Sequence, residues 1–224
     1  MTPEQITQAN SDLRHKSALD VIQWAIVRAN GHAIVSTNFR PYEAVILHLV
    51  TRVQPDIPVL WVDHGYNRPA TYKHAETLKT QLNLNIKAYL PRLTAAHYDA
   101  VKGGMPEPMP ENEERIKAFS TVMKLEPFQR GMKELAPAVW FTALRKVQNQ
   151  NRAGLDIISA DTNFNTLKAS PVFHWSDAEM EAYLQRHNLP NEWDYFDPAK
   201  TDEKRECGLH ASWGGEAVSG GAGI

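Results

Sequence analysis

The chain has 224 residues, of which 42% are hydrophobic and 22% charged, and a formal net charge of −2. This length is enough for one domain with its own hydrophobic core and a small appendage. The slightly negative net charge excludes a general electrostatic attraction to nucleic acid or to an acidic membrane surface. No apolar run approaches the roughly 20 residues of a membrane-spanning helix, and the opening stretch MTPEQITQANSDLRHK lacks the apolar core of a signal peptide. We therefore expect a cytoplasmic protein.

Hydrophobic spacing divides the chain into alternating helices and strands. Apolar residues at helical intervals predict helices over 19–27, from Pro41 to about 54, over 72–82, and after a capping box at 176–179. Short apolar runs predict buried strands over 33–35, 58–62, 86–90, 139–142 and 156–159. This order predicts an α/β fold with a mostly parallel sheet flanked by helices.

Two parts of the chain lack these patterns. The stretch 101–114 is rich in Pro, Gly and Glu and is predicted to be a mobile loop over the site. After Pro190 the sequence becomes irregular. We therefore divide the chain into an α/β domain, residues 1–190, which is a candidate nucleotide-binding domain, and an irregular, flexible C-terminal tail, residues 191–224.

Two polar loops follow predicted strands at the carboxyl edge, where open α/β sheets bind ligands. Ser36, Thr37 and Asn38 precede a helix, and their hydroxyls and backbone N–H groups can hold an anion there. Asp63 and Gly65 follow the next strand, where the carboxylate can accept from a ribose hydroxyl or an adenine amine. In the alternative interpretation, the first loop only caps its helix and the second only makes a turn.

Arg145, Lys146 and Arg152 form a basic cluster after the predicted strand 139–142. Three cations in eight positions can neutralise a polyanionic ligand, and the planar guanidinium suits phosphate or sulfate. The alternative is a solvated helix face, which charged clusters usually are. The position of the cluster at the end of a strand favours the ligand.

Cys207 is the only cysteine of the chain, which suits a reducing compartment. A lone thiol cannot form an intramolecular disulfide, and four thiolates for an iron–sulfur cluster cannot come from this chain. Lys204, Arg205 and His210 surround Cys207, and cations beside a thiol favour the nucleophilic thiolate. The other histidines lack metal-ligand spacing, so no metal site is predicted.

The heptad Lys-Arg-Glu-Cys-Gly-Leu-His at 204–210 resembles the C-terminal catalytic motif of the phosphoadenylyl-sulfate (PAPS) reductase family. Further similarities lie at 55–59, 65–72, 126–130, 140–145 and Arg152. The resemblance implies an adenine-nucleotide α-hydrolase-like (Rossmann-like) fold, commonly homodimeric, whose tail closes over the nucleotide. Relatives that reduce adenylyl sulfate carry extra cysteines for a [4Fe–4S] cluster, so the chain resembles the cluster-free branch.

The resemblance implies an oxidoreductase of sulfate assimilation and cysteine biosynthesis that has no bound cofactor and takes electrons from thioredoxin or glutaredoxin. Cys207 would attack the sulfonyl sulfur of PAPS and become S-sulfocysteine, which the partner thiol then reduces to release sulfite. Lys204, Arg205, Glu206 and His210 complete the catalytic motif. The implied contacts to phosphates and sulfate are Ser36, Thr37, Asn38, Arg145, Lys146 and Arg152, with the Asp63–Gly65 loop near the adenosine.

Three binding motifs depart from the family pattern. Arg40 replaces a glycine in the first loop, His64 replaces a threonine in the second, and Asn149 replaces a serine near the basic cluster. These departures leave open a diverged member acting on another nucleotide or sulfur donor. A non-enzymatic redox-sensing nucleotide-binding module, with Cys207 as an oxidisable thiol, is a further alternative. The intact heptad favours the enzyme, because a sensor needs a reactive cysteine but not the whole motif.

Overall fold

The computed structural model describes residues 1–107, 109–148 and 155–197. Its strands are β1 (Ala33–Thr37), β2 (Pro58–Val62), β3 (Asn85–Tyr89), β4 (Val139–Phe141), β5 (Ile158–Asp161) and β6 (Thr166–Ala169). Its α-helices are α1 (Pro3–Leu13), α2 (Ala18–Ala29), α3 (Glu43–Val53), α4 (Pro69–Leu82), α5 (Ala95–Lys102), α6 (Glu113–Ser120), α7 (Glu126–Leu135) and α8 (Asp177–Arg186). A π-helical turn, Thr121–Leu125, joins α6 to α7.

The six strands form one sheet in the order β3-β2-β1-β4-β6-β5. All neighbours are parallel except β5 and β6, which pair antiparallel. The predicted mostly parallel α/β sheet is therefore confirmed. The chain builds β2 and β3 on one side of β1 and β4 on the other, so the topological switch point lies between β1 and β4. Ligands of open α/β sheets bind at the carboxyl edge of such a point.

Helices cover both faces of the sheet, as parallel sheets require. Val35 and Val59 point into the larger core, where α2, α3 and α8 pack. Ile34, Leu60 and Trp140 point into a smaller core beneath α7. Because strand side chains alternate between faces, consecutive residues at the end of β1 also point to opposite sides.

The boundaries around the end of β1 differ from those predicted. β1 extends through Thr37, so Ser36 and Thr37 belong to the strand and not to the loop. The next helix begins at Glu43 rather than Pro41. The reason is Tyr42, whose φ of 70° is left-handed and cannot belong to an α-helix.

The stretch 101–114 was predicted to be a mobile loop, and that prediction is wrong for much of it. α5 runs to Lys102, a 3-10 turn spans Pro110–Asn112, and α6 begins at Glu113. The sequence patterns also missed β6, because Lys168 interrupts its apolar run. Lys168 is buried and its Nζ lies 2.5 Å from Oδ2 of Asp161 on the antiparallel neighbour.

Gly131 allows α7 to pack closely on β2 and β3. A Cβ at this position would lie 2.8 Å from Cδ1 of Leu60 and 2.9 Å from the ring of Tyr89. We therefore expect Gly131→Ala to lower the free energy of unfolding by about 1–3 kcal/mol through overpacking, although alanine favours helices. Urea unfolding measures this change. Gln129→Ala, on the exposed side of α7, should be nearly neutral, and equal values for the two variants would contradict the prediction.

Candidate functional site at the carboxyl edge of the sheet

Three loops meet at the carboxyl edge near the switch point. They follow β1 (38–42), β2 (63–68) and β4 (142–145). The segment 188–197, which follows α8, runs past the first two of these loops. The predicted residues at the ends of β1 and β2 are thus brought to one edge of the sheet.

A carboxylate from α3 organises the loop after β1. Oε2 of Glu43 accepts from the Thr37 hydroxyl at 2.8 Å and from the Asn38 backbone N–H at 2.7 Å. Oε1 of Glu43 pairs with Nε of Arg40 at 3.0 Å. The Thr37 hydroxyl also accepts from the Phe39 N–H at 2.9 Å. Two donors that the sequence assigned to a ligand anion are therefore bound by the protein's own carboxylate.

Ser36 points to the opposite face of the sheet from Thr37. Its Oγ accepts from the indole N–H of Trp140 at 2.8 Å. Trp140 is fully buried in the core beneath α7. The predicted trio at the end of β1 is therefore divided between the two faces, and Ser36 ties β1 to β4 at the switch point.

Asp63 is the centre of the loop after β2. Its Oδ1 accepts from the Gly65 N–H at 3.1 Å, the Asn67 amide at 3.3 Å and the Tyr72 hydroxyl at 2.7 Å. Burial, followed by the bond to Asp63, raises the pKa of Tyr72 to about 12. Gly65 has a φ of 78°, and a Cβ there would lie 3.1 Å from Cβ of Ala95. A glycine is therefore required at this position.

His64, Lys124 and Asp197 form a buried cluster beside the β2 loop. Nζ of Lys124 lies 2.5 Å from Oδ1 of Asp197, and both side chains are more than nine-tenths buried. Nδ1 of His64 accepts from the Tyr66 N–H at 3.1 Å. Burial, and then the charge of Lys124, lowers the pKa of His64 from 6.5 to about 4. His64 is therefore neutral at pH 7, and one ion pair carries the charge of the cluster.

The lowered pKa of His64 predicts that the fold loses stability in acid. Below pH 6.5 the unfolded chain takes up a proton at this residue, and the folded chain does not until about pH 4. The free energy of unfolding is therefore at its full value above pH 6.5 and falls by about 3 kcal/mol as the pH is lowered to 4. Urea unfolding between pH 7.5 and 4.5 measures this slope.

The matched variant is His64→Asn, because its amide oxygen can still accept from the Tyr66 N–H. It should flatten the pH dependence. The pKa values of His48 and His74 are also lowered, mainly by burial, so a smaller slope should remain. An unchanged slope in His64→Asn would show that His64 does not titrate as described.

Of the basic cluster after β4, Arg145 is buried and is therefore not on a solvated face. One guanidinium nitrogen lies 2.7 Å from Oδ1 of Asp177 at the start of α8, and another donates to the Trp175 carbonyl at 3.3 Å. The guanidinium also lies 5.3 Å from the ring centre of Tyr42. Lys146 begins a 3-10 turn and has an exposed side chain. Whether either residue contacts a ligand stays a prediction.

The segment 188–197 is fastened to the loops of this edge. Oδ1 of Asn191 accepts from the Tyr42 N–H at 2.8 Å, and Asp194 pairs with Arg68. Trp193, with 64% of its surface exposed, packs edge-to-face on Tyr42 at 5.2 Å. The first residues of the predicted tail therefore lie on the body of the protein.

Several predicted site residues lie outside the described residues: Arg152, Lys204, Arg205, Glu206, Cys207 and His210, together with Asn149. Asp197 precedes Cys207 by ten positions. An extended chain of that length spans at most about 35 Å. The reach is enough to bring the thiol to the carboxyl edge.

Glu43, Lys124 and Asp197 lie at the candidate site, and the sequence reasoning missed them. The one available signal was Lys124, a cation inside the apolar run 122–125. The π-helical turn places this lysine inward, and such turns are frequent at functional sites. Glu43 gave no signal, since an acidic first residue is ordinary for a helix.

The described residues were compared with the requirements of a metal site and of a membrane-spanning helix. No group of three or more His, Cys, Asp or Glu side chains there is arranged to hold a metal ion. Nor is any helix in the same ranges long and apolar enough to cross a membrane.

A cavity of about 710 Å³ lies at the opposite, amino edge of the sheet. It lies between the end of α7 and the turn joining β5 to β6, and its lining residues are Gln129, Met132, Lys133, Ala136, Thr162, Asn163, Phe164 and Asn165. It is separate from the three loops of the carboxyl edge. We therefore assign the candidate site to the loops and not to this cavity.

Comparison with known proteins identifies related sequences and folds. The phosphoadenosine phosphosulfate reductase domain family matches residues 32–193. A phosphoadenosine 5′-phosphosulfate reductase of Vibrio campbellii is 34% identical over 97% of this chain and 90% of its own. One from Synechococcus sp. is 31% identical over 92% of this chain and 97% of its own. These matches confirm the resemblance inferred from the heptad.

Solved structures share the fold. The PAPS reductase of Candida auris, in a phosphate complex, superposes with a TM-score of 0.74 at 22% identity, covering 85% of this chain and 89% of its own. An FMN adenylyltransferase of Candida glabrata, in complex with FAD and pyrophosphate, gives 0.53 at 14% identity, covering 78% and 57%. Together they confirm the predicted adenine-nucleotide α-hydrolase-like fold.

Proposed function

The chain belongs to the phosphoadenosine phosphosulfate reductase family, and we propose that it reduces PAPS to sulfite and adenosine 3′,5′-bisphosphate with electrons from thioredoxin or glutaredoxin. The observation that carries this proposal is the intact heptad at 204–210 in a chain with a single cysteine. The segment that leads to it, 188–197, lies at the carboxyl edge of the sheet, and the fold is adenine-nucleotide α-hydrolase-like. The reaction would serve sulfate assimilation and cysteine biosynthesis.

The proposed chemistry needs one thiol from this chain. The Cys207 thiolate attacks the sulfonyl sulfur, the bond from that sulfur to the phosphate oxygen breaks, and the bisphosphate leaves with the electron pair. The product on the enzyme is S-sulfocysteine. A thioredoxin or glutaredoxin thiolate attacks Sγ of Cys207 and expels sulfite, and the partner's second thiol resolves the mixed disulfide.

The cations of the heptad support this step electrostatically. Lys204, Arg205 and His210 would favour the thiolate and balance the sulfonate charge, with Glu206 completing the motif. No bound cofactor is required, because the two electrons come from the protein partner. The single cysteine of the chain cannot supply the four thiolates of an iron–sulfur cluster.

We place the nucleotide at the carboxyl edge, where the loops after β1, β2 and β4 meet. The Asp63–Gly65 loop would lie near the adenosine, and the proposed phosphate and sulfate contacts are Ser36, Thr37, Asn38, Arg145, Lys146 and Arg152. Support comes from the switch point beside β1 and from segment 188–197, which is bonded to the loops after β1 and β2. We retain the division into a body, 1–190, and a tail, 191–224, with residues 191–197 packed on the body.

We further propose a cytoplasmic homodimer, on the strength of the family resemblance. A reducing compartment keeps both Cys207 and the partner's thiols available. Light scattering of the purified protein tests the dimer, since a mass of one chain would contradict it.

A second candidate is a related reductase acting on another sulfonated nucleotide. The favouring observation is the loop after β1, where Arg40 stands in place of the family's glycine and pairs with Glu43. Substrate screening separates the two candidates. A redox sensor, the non-enzymatic alternative, would oxidise without releasing sulfite.

Intact-protein mass spectrometry tests the proposal. The reduced protein is mixed with PAPS without any thioredoxin, and a gain of one sulfonate group is expected. Thioredoxin or glutaredoxin should remove it and release one sulfite. Adenylyl sulfate, lacking the 3′-phosphate, is the matched control substrate. Absence of the adduct from folded, reduced protein would contradict the assignment and favour the second candidate.

A further inference from the structure

The cavity at the amino edge of the sheet lies apart from the loops of the candidate site. Its volume of about 710 Å³ is within the range of small-molecule sites, roughly 300–1,000 Å³. One wall is formed by the last two turns of α7, and the other by the turn 162–165 between β5 and β6. A molecule bound there leaves the carboxyl edge free, so the cavity is a candidate second site.

The turn 162–165 is fixed by contacts within the protein. Oδ1 of Asp161 accepts from the Phe164 N–H at 3.0 Å, and Oδ2 lies 2.5 Å from Nζ of the buried Lys168. Asn165 has a left-handed φ of 50°, which asparagine adopts more readily than most residues. This wall is therefore formed before a ligand binds, and binding does not have to order it.

Met132 and Phe164 supply the apolar part of the lining. Met132 is 2% exposed. The ring of Phe164 packs edge-to-face on Phe128 at 5.8 Å and on Trp140 at 6.4 Å, measured between ring centres. The apolar body of a ligand can therefore pack against a ring whose orientation is already held.

Lys133 is the only charged residue of the lining. Its side chain is exposed, and among the described residues it has no ion-pair partner. Two acids near it in the structure or the sequence are engaged elsewhere. Asp161 pairs with Lys168, and Glu134 accepts from the Tyr89 hydroxyl. The cavity therefore presents one uncompensated ammonium, which is the complement of one anionic group.

A buried hydroxyl beside the turn also indicates a ligand. Thr166 is 5% exposed, and its Oγ makes no hydrogen bond to any described residue. Thr166 and Lys168 lie on the same face of β6, because strand side chains alternate. Nζ of Lys168 lies 4.9 Å from the ring centre of Trp140, in the core beneath α7. The Thr166 hydroxyl is thus on the side of the sheet where the cavity lies, and buried polar groups are nearly always bonded.

We infer that the amino-edge cavity is a binding site for a small organic anion, with its one anionic group at Lys133 and a flat apolar body against Phe164 and Met132. The amides and hydroxyls of the turn bind the polar substituents of the ligand. A polyanion does not fit, because the lining has a single cation. A purely apolar molecule would leave the polar groups of the turn without bonds. The inference is independent of PAPS reduction.

4-Fluorophenylacetate is a probe with these properties, and fluorine NMR measures its binding to the purified protein. We expect a dissociation constant in the millimolar range or tighter. 4-Fluorophenylacetamide has the same ring without the charge and should bind about fivefold more weakly, the loss of one exposed ion pair. Saturating adenosine 3′,5′-bisphosphate should not displace the probe, because we place that nucleotide at the opposite edge. Displacement would assign the probe to the carboxyl edge and overturn the inference.

Lys133→Met removes the ammonium and keeps the apolar stem. It should weaken binding of the charged probe about fivefold and leave the affinity for the neutral probe unchanged. Lys79→Met is the matched control, because Lys79 is likewise the cation in the last turn of a helix that leads to the amino edge. It should bind both probes as the unchanged protein does. Equal affinities for the two probes, or equal effects of the two lysine variants, would overturn the inference.

Phe164→Leu tests the apolar contact. It removes the ring and should weaken binding of the charged and the neutral probe by similar factors. Its melting temperature checks the fold, since Phe164 packs on Trp140. Unchanged affinity for both probes in folded Phe164→Leu would place the probe elsewhere and contradict the assignment. If this variant does not fold, the comparison of the two lysine variants decides.

Discussion

Cys207→Ser should lower sulfite release from PAPS by about a thousandfold or more, since a serine hydroxyl is a much poorer nucleophile and leaving group than a thiolate. The S-sulfocysteine adduct should be absent as well. The dissociation constant of adenosine 3′,5′-bisphosphate should stay within about twofold, because the proposed nucleotide contacts lie on other residues. Sulfite assay, intact mass and calorimetry measure the three quantities.

The comparison of turnover with binding separates loss of chemistry from loss of fold. Loss of both nucleotide binding and turnover would indicate a folding defect. The melting temperature of Cys207→Ser is therefore the control, and it should match that of the unchanged protein. Undiminished turnover in folded Cys207→Ser would remove Cys207 from the mechanism. It would also exclude the non-enzymatic redox-sensor alternative, since a sensor releases no sulfite.

Elements with local signals could be predicted from the sequence. Pro58–Val62 has the predicted bounds, because an uninterrupted apolar run suits a strand covered on both faces. The capping box at Ser176 and Glu179 forms both of its hydrogen bonds, at 3.3 and 2.7 Å. In each case the information lies within a few neighbouring residues.

The rest of the site depends on partners that are distant in sequence. The polar Lys168 fits a buried strand, β6, because it pairs with Asp161 on the neighbouring strand β5. No local sequence pattern shows that pairing. The Ser36–Asn38 loop matched an anion-binding pattern, yet nothing in the pattern showed that Glu43 would turn inward and take two of its donors. The heptad identified the chemistry but not the arrangement of the loops that receive the nucleotide.

The ion pair of Lys124 and Asp197 is another contact between residues that are distant in sequence, and its loss has a large expected cost in stability. The two residues are 73 positions apart, and the π-helical turn that directs Lys124 inward has no clear sequence signature. Asp197 ends the part of segment 188–197 that the structure describes. The pair therefore fastens the chain leading to Cys207 beside the β2 loop.

Asp197→Ala should lower the free energy of unfolding by about 3–5 kcal/mol, because it leaves the Lys124 ammonium buried without its partner charge. Urea unfolding measures the loss. Asp194→Ala is the matched control in the same segment, since it breaks an exposed pair with Arg68 and should cost at most about 1 kcal/mol.

Joint replacement of the pair separates charge from packing. Lys124→Met with Asp197→Leu removes both charges and keeps apolar volume, so it should recover most of the stability that Asp197→Ala loses. Recovery would show that the penalty comes from an uncompensated charge and that the pair is retained for positioning rather than for stability. If Asp197→Ala lowered the free energy of unfolding no more than Asp194→Ala does, the ion pair would not be what holds this segment on the body of the protein.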